Sequence, residues 1–142
     1  MRNKFVIRLM SLIPCILLGV VSYQWFTDPV ATALGFGIDY EAMSNHGQNS
    51  LFRDFTAFFA ASSLFCLFAF FTFRSSWLLA AGLIYLLALG FNVYHIMYLG
   101  SVVQLDLVIE VAFSVWILGT ALLMKIAANS KPVVKEATAD TE

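Results

Sequence analysis

The residues of this chain that could do chemistry are concentrated in one apolar stretch, residues 90–110. A histidine, an amide and two carboxylates lie there among hydrophobic neighbours: Asn92, His95, Asp106 and Glu110. Histidine and carboxylate side chains act as general acids and bases, and they also bind metal ions. A charge at the centre of a membrane helix costs about 2.5–3.5 kcal/mol on insertion scales, so charged residues there are usually paired or functional.

No established catalytic or metal-binding motif accompanies these residues. The sequence contains no His-x-x-His, Glu-x-x-His, Cys-x-x-Cys, Gly-x-Ser-x-Gly or phosphate-loop pattern. One histidine with two carboxylates is a weak signal for a metal site. His46 and His95 differ too much in expected depth to ligate haem from two sides. We therefore predict no metal site and no cofactor, and we assign no catalytic residue.

The composition is that of an integral membrane protein. Of the 142 residues, 61 % are hydrophobic and 12 % are charged. Charged residues are absent from three long runs, at 9–27, 55–73 and 75–105. About 20 apolar residues cross the hydrocarbon core, and backbone groups in lipid must be satisfied within the segment, so these runs should be helices. With a net charge of −1 and no basic stripe, nothing indicates nucleic-acid binding.

We predict an all-α, polytopic membrane protein with an antiparallel bundle of four transmembrane helices. The predicted spans lie at about 6–26, 52–73, 77–99 and 104–125. The fourth span is long enough only if it starts near Leu105 and carries Glu110 into the membrane. Residues 1–127 are expected to form the transmembrane domain, and the polar tail, 128–142, is expected to be disordered. No small-residue cleavage site follows the first run, so we expect no removed signal peptide.

The basic residues predict the orientation of the chain. If the N-terminus is cytoplasmic, seven of the eight Lys and Arg residues lie on the cytoplasmic side and Arg53 lies outside. Cytoplasmic loops of membrane proteins carry an excess of Lys and Arg. Both termini are therefore predicted to be cytoplasmic.

The predicted outer loop, residues 27–50, contains a short helix signal. Asp28 is a candidate N-cap, Pro29 suits the first helical position, and Gly35 suits the end of the helix. The remainder, around His46, is polar and rich in turn residues. The end of the first span predicts an aromatic belt at the membrane surface, made by Tyr23, Trp25 and Phe26.

Small and special residues inside the spans are expected to support helix packing. Gly82 and Gly90 lie eight positions apart, near one face of the third span. Cys15 and Cys66 are expected to be buried apolar fillers. Pro14 is tolerated if a neighbouring helix binds the carbonyl that it frees. Serine hydroxyls within the spans are expected to bond to their own helices; these are Ser62, Ser63 and Ser114.

The predicted topology brings the polar residues together at the outer end of the bundle. Asp106 and Glu110 are four apart and Asn92 and His95 are three apart, so each pair shares a helix face. Arg53 is the one basic residue predicted to be outside. We therefore predict an Arg53–Glu110 contact, with Asn92 or His95 bonded to the same carboxylate and Asp106 solvated.

This cluster of Arg53, Asn92, His95, Asp106 and Glu110 has two interpretations. In the first, its polar contacts hold the helices of the bundle together. In the second, it lines a pocket that is open to the outer leaflet and binds a lipid-like or small polar ligand. The favoured function is a non-enzymatic binding or accessory membrane protein. Its expected partners are membrane lipids and a second membrane protein. The alternative is a small membrane enzyme acting on a lipid-like substrate, with Glu110 or His95 as acid or base. Proton translocation is disfavoured, since little polarity continues inward past Glu110.

A pattern along residues 8–126 resembles a family of small bacterial four-helix membrane proteins classed as a domain of unknown function. The residues that carry the resemblance are Asp28-Pro29, Leu34-Gly35, Arg53, Gly90, Gly100 and Glu110. The sequence departs from the family where Phe58-Phe59 replaces a Gly-Gly pair and where Asn92 replaces an arginine. The resemblance implies a four-helix bundle in a bacterial cytoplasmic membrane, and it implies no activity.

Overall fold

A computed structural model of the protein describes residues 4–100 and 105–130, with side chains throughout except at Leu105 and Asp106. These ranges form four long helices and one short one. In chain order they are α1 (Lys4–Thr27), α2 (Pro29–Gly35), α3 (Asn45–Thr72), α4 (Ser75–Leu99) and α5 (Leu105–Asn129). The four long helices are long and apolar enough to cross a membrane. At about 1.5 Å per residue, even the shortest of them exceeds a hydrocarbon core of about 30 Å. The predicted all-α, four-helix membrane fold is confirmed.

The short helix α2 starts and ends where the sequence signals predict. The Asp28 carboxylate accepts a hydrogen bond from the backbone N–H of Ala31 at 3.0 Å, which satisfies one free donor of the first turn. Pro29 occupies the first helical position, where its missing N–H costs nothing. Gly35 is the last helical residue.

The predicted outer loop, 27–50, is too long, because α3 begins at Asn45. The hydroxyl of Ser44 accepts from the backbone N–H of Gly47 at 3.2 Å and so caps the helix. His46, expected in a loop, therefore lies in the first turn of α3. At the other end of the chain, α5 continues to Asn129, so the predicted tail starts too early. Residues 131–142 lie outside the described residues.

The four long helices form an antiparallel ring in the order α1, α3, α4, α5. The Ser22 hydroxyl on α1 donates to the Thr56 carbonyl on α3 at 3.0 Å. One end of the bundle, called the terminal end below, holds Lys4, Thr72, Ser75 and Asn129. The opposite end, next to α2, is called the α2 end. Contacts are most extensive between α1 and α3 and between α4 and α5, and least extensive between α1 and α5.

A turn of two residues joins α3 to α4 at the terminal end. Phe73 ends α3 in the left-handed region, with φ 53°, and its N–H donates to the Ala69 carbonyl. Its ring lies under two cations of α1, with the Lys4 Nζ 5.8 Å and the Arg8 Cζ 5.3 Å from the ring centroid. These cation–π contacts tie the start of α1 to this turn.

The tightest packing lies towards the terminal end. A Cβ built on Gly82 of α4 would come within 2.5 Å of the Leu118 side chain on α5. Small residues allow this close approach of membrane helices. The prediction that Gly90 does the same is wrong, because a Cβ there would meet nothing within 4 Å. Both cysteines are buried and free, as expected of fillers.

Candidate ligand-binding cavity

A cavity of about 910 Å³ lies between the helices towards the α2 end. All four long helices and the segment at the end of α2 contribute to its walls. Ligand pockets in proteins typically measure about 300–1,000 Å³, so this cavity is large enough for one small amphipathic molecule. Among the described residues most of the lining is aliphatic or aromatic, and four polar side chains contribute to it: Asp54, Tyr85, Asn92 and Glu110.

Aromatic rings of α3, α4 and α5 form part of the cavity wall. Tyr85 of α4 stacks on Phe113 of α5, with centroids 5.5 Å apart, and meets Phe58 of α3 edge-on at 5.4 Å. Rings this large hold the helices apart where they meet, whereas small residues let them approach. The cavity therefore begins at the layer of Tyr85, immediately beyond the closely packed Gly82.

A second aromatic group covers the cavity beside α2. Trp25 is fully buried and packs against Phe36 and Phe55, with centroids 5.8 and 4.9 Å away. The prediction that Trp25 belongs to an interfacial belt is therefore wrong, while Tyr23 and Phe26 are both 67 % exposed. Trp25 is drawn inward because α2 and the residues after it fold over the end of α1 and present Phe36 to its ring.

The polar pair of the cavity joins α4 to α5. The amide Nδ2 of Asn92 donates to the Glu110 Oε2 at 3.0 Å. Both side chains are partly buried and both line the cavity. The predicted bond between Asn92 and the Glu110 carboxylate is present. It places a carboxylate inside the bundle, facing an otherwise apolar space.

Arg53 makes a different ion pair from the predicted one. Its Nε donates to the Asp54 Oδ1 at 2.9 Å, and both side chains are more than 60 % exposed. Among the described residues no ion pair joins Arg53 to Glu110, so that prediction is wrong. The adjacent Asp54 satisfies the guanidinium near the surface, and Asn92 supplies the hydrogen bond that Glu110 receives.

Neither of the remaining two residues of the predicted cluster is among the described residues that line the cavity. His95 lies one turn beyond Asn92 on α4 and is exposed, and it is not among the residues that line the cavity. Asp106 lies in the first turn of α5, and its side chain is outside the described part of the structure. Among the residues that the structure describes, no three His, Cys, Asp or Glu side chains could together hold a metal ion.

The seam between α1 and α5 gives the cavity its opening to the surrounding lipid. Three of its lining residues are also 44–50 % exposed: Leu17 and Val20 of α1 and Ile109 of α5. A smaller cavity of about 150 Å³ follows the same seam and shares Leu17 and Phe113 with the main one. The two cavities adjoin at these shared residues, and the apolar seam that leads from them to Trp116 is called the α1–α5 groove below.

The α1–α5 groove ends at a hydrogen bond between the two helices. The sequence predicts its acceptor but not its donor. The indole Nε1 of Trp116 donates to the Met10 carbonyl of α1 at 2.9 Å. Met10 is four residues before Pro14, so its carbonyl is the one that the missing proline N–H leaves free. A neighbouring helix was expected to bind this carbonyl. Sequence gave no sign that Trp116 would do so.

Two further features of the interior depart from the sequence expectations. The Ser63 hydroxyl donates to the Cys15 carbonyl on α1 at 2.7 Å rather than to its own helix. The hydroxyls of Ser62, Tyr85 and Ser114 are buried without a hydrogen-bond partner in the described structure. Those of Ser62 and Tyr85 lie near each other across α3 and α4, outside hydrogen-bond geometry. Residue spacing along the sequence does not show which of these hydroxyls bond to another helix and which lack a partner.

The fold and the cavity together define a polytopic helical membrane protein with an internal apolar cavity. Comparison with protein-family models, curated proteins and solved structures finds no match to this chain. The resemblance to a bacterial four-helix family therefore stays a prediction.

Proposed function

We propose that this protein binds an amphipathic, lipid-like molecule in its cavity and that it is not an enzyme. The observation that carries this proposal is the combination of an apolar space of about 910 Å³ with one hydrogen-bonded carboxylate, Glu110, at its wall. Apolar pockets with a few placed polar groups are the usual form of small-molecule sites. The apolar walls suit a hydrocarbon part, and the polar pair suits a head group.

The partner of Glu110 favours binding over catalysis. Asn92 is a neutral amide that neither gives nor takes a proton, so it orients the carboxylate for hydrogen bonding. In the enzyme alternative, Glu110 or His95 would act as the acid or base within hydrogen-bond reach of the substrate. His95, one candidate for that role, is exposed and lies beyond the lining of the cavity among the described residues.

We also propose a location and orientation for this function. The distribution of Lys and Arg favours cytoplasmic termini, which puts the α2 end of the bundle in the outer leaflet. The resemblance noted above suggests a bacterial cytoplasmic membrane. Lipids would reach the cavity through the α1–α5 groove, and a second membrane protein could receive the bound molecule.

Native mass spectrometry of the full-length protein in a mild detergent tests the proposal. We expect a reproducible bound mass in the wild type. Ala88→Phe, which places a ring in the cavity lining, should remove that mass. Ala57→Phe is the matched control, because Ala57 is exposed on α3 and lies outside the lining. Retention of the bound mass by Ala88→Phe would contradict binding in this cavity. An inactive but still liganded Glu110→Gln, in an assay of lipid turnover, would instead favour the enzyme alternative.

A further inference from the structure

The charges around the cavity restrict what its ligand can be. Its polar lining consists of two carboxylates, one amide and one phenol, and no Lys or Arg is among the described lining residues. Complementary charge favours binding and like charge opposes it, more strongly in a space with little water. The lining therefore disfavours phosphate, sulfate and carboxylate head groups.

The two carboxylates differ in how far their charge is already compensated. Asp54 holds the Arg53 guanidinium at 2.9 Å, in an exposed position. Glu110 is partly buried, and within the described residues its hydrogen-bond partner is the neutral amide of Asn92. One neutral hydrogen bond does not balance a carboxylate held inside a membrane bundle. Glu110 is thus the position at which the site would gain most from a bound cation.

The apolar part of the ligand has a defined path. The main cavity and the smaller one share Leu17 and Phe113, so the space next to Glu110 continues into the α1–α5 groove. Phe113 is three residues after Glu110 on the same helix, about one turn deeper in the bundle. A head group at Glu110 therefore directs its chain down this groove, towards Trp116 and the surrounding lipid.

We infer that the ligand is a single-chain amphiphile with an amine head group, whose ammonium binds Glu110 while its chain lies in the α1–α5 groove. This inference rests on the proposed function and adds the chemical class of the ligand. An ammonium is a compact cation with several N–H donors, so it can balance the charge of the carboxylate and donate hydrogen bonds to its oxygens. No covalent step is involved.

Three amphiphiles of equal chain length test the head group directly. The full-length protein, in one detergent, is titrated with dodecylammonium, dodecanol and dodecanoate, and bound stoichiometry is measured by native mass spectrometry. We expect dodecylammonium to bind about tenfold or more tightly than the other two, as a charge-assisted hydrogen bond should give. Glu110→Gln should reduce this preference to about none, while Glu41→Gln should keep it, because the Glu41 carboxylate is exposed and lies outside the described lining.

The outcomes separate the two proposals. If dodecanol or dodecanoate binds as tightly as the amine, and Ala88→Phe still abolishes binding, the amine class is wrong while the cavity remains a lipid-like site. A preference for the amine that survives in Glu110→Gln would also overturn the inference. If none of the three shows binding that Ala88→Phe removes, the proposed function itself fails. To exclude misfolding, each variant is compared by circular dichroism and by its elution volume.

Discussion

Two glycines on one helix mark the difference between the ends of this bundle. At Gly82, α4 approaches α5 so closely that a Cβ would come within 2.5 Å of Leu118. At Gly90, two turns nearer the α2 end, a Cβ would meet nothing within 4 Å. The buried residues of α4, all of which lie in the described range, end at Tyr85. Within α4, close packing is therefore confined to the half nearer the terminal end.

The contrast comes from the size of the residues between the helices. Near the terminal end, α4 presents Ala81 and Gly82, and α5 presents Ala121 and Ala127. Towards the α2 end the facing residues are rings, and Tyr85 stacked on Phe113 sets the helices apart. Close packing gives membrane helices their stability, since lipid offers no hydrophobic driving force. The terminal half is therefore the closely packed part of the bundle, and the α2 half holds the cavity.

The largest expected effect comes from filling the closely packed site. Gly82→Leu should destabilise the protein by about 1–3 kcal/mol, because the added side chain has no space beside Leu118. Gly90→Leu should change stability by less than about 0.5 kcal/mol. Reversible unfolding in mixed micelles, followed by circular dichroism, measures both. Equal losses at the two positions would remove the distinction between the halves.

The next effect tests the contact that closes the α1–α5 groove. Trp116→Phe should cost about 1 kcal/mol or more, since it leaves the Met10 carbonyl without its donor. In a Pro14→Ala background, the restored N–H can bond to Met10 within α1, so the cost of the tryptophan change should shrink. A double-mutant cycle measures this coupling. Strict additivity would show that the indole does not satisfy the freed carbonyl.

Two adjacent serines give a smaller, matched comparison within the packed region. Ser63→Ala removes the hydrogen bond to the Cys15 carbonyl on α1 and should cost about 0.6 kcal/mol, the mean for such bonds in membrane proteins. Ser62→Ala removes a buried hydroxyl that has no hydrogen-bond partner among the described residues, so it should be neutral or stabilising. The free energies of unfolding of the two variants measure this difference. A greater loss for Ser62→Ala would mean that its hydroxyl is satisfied.

The smallest expected effect on stability belongs to the cavity. Glu110→Gln keeps an acceptor for Asn92, so the free energy of unfolding should change by less than about 0.5 kcal/mol. Binding of the amine probe should nevertheless be lost. A large loss of thermal stability, measured in detergent without added ligand, would support the other interpretation, in which the polar pair stitches the bundle together.

The parts of this structure that were predictable depend on signals within one helical turn or one continuous run of the sequence. Uncharged runs predict the spans because lipid forces the backbone into helices. Asp28 and Pro29 predict α2 because caps act within a single turn. The Asn92–Glu110 bond followed from spacing and topology, since a short connection brings the ends of two helices together.

The parts that were missed depend on distances between helices. The predicted topology favours an ion pair between Arg53 and Glu110. In the structure the Arg53 guanidinium pairs instead with Asp54, its neighbour in the sequence, near the surface. Sequence also gives no volume for the space that Tyr85 and Phe113 hold open. The burial of Trp25 depends on how the chain after α2 folds back over α1, which hydropathy does not encode.

The hydrogen bond from Trp116 to Met10 has a consequence for how the protein is made. During synthesis α1 enters the membrane first and α5 last. The Met10 carbonyl freed by Pro14 therefore lacks the Trp116 donor until α5 has inserted. A chain truncated before α5 would keep that polar group exposed to lipid. The last helix thereby supplies the hydrogen bond that the first helix lacks. Membrane proteases that recognise a helix with a free carbonyl would distinguish full-length from truncated chains. Pulse-labelled chains ending at residue 100 should accordingly be degraded faster than full-length ones, and Pro14→Ala should slow that degradation.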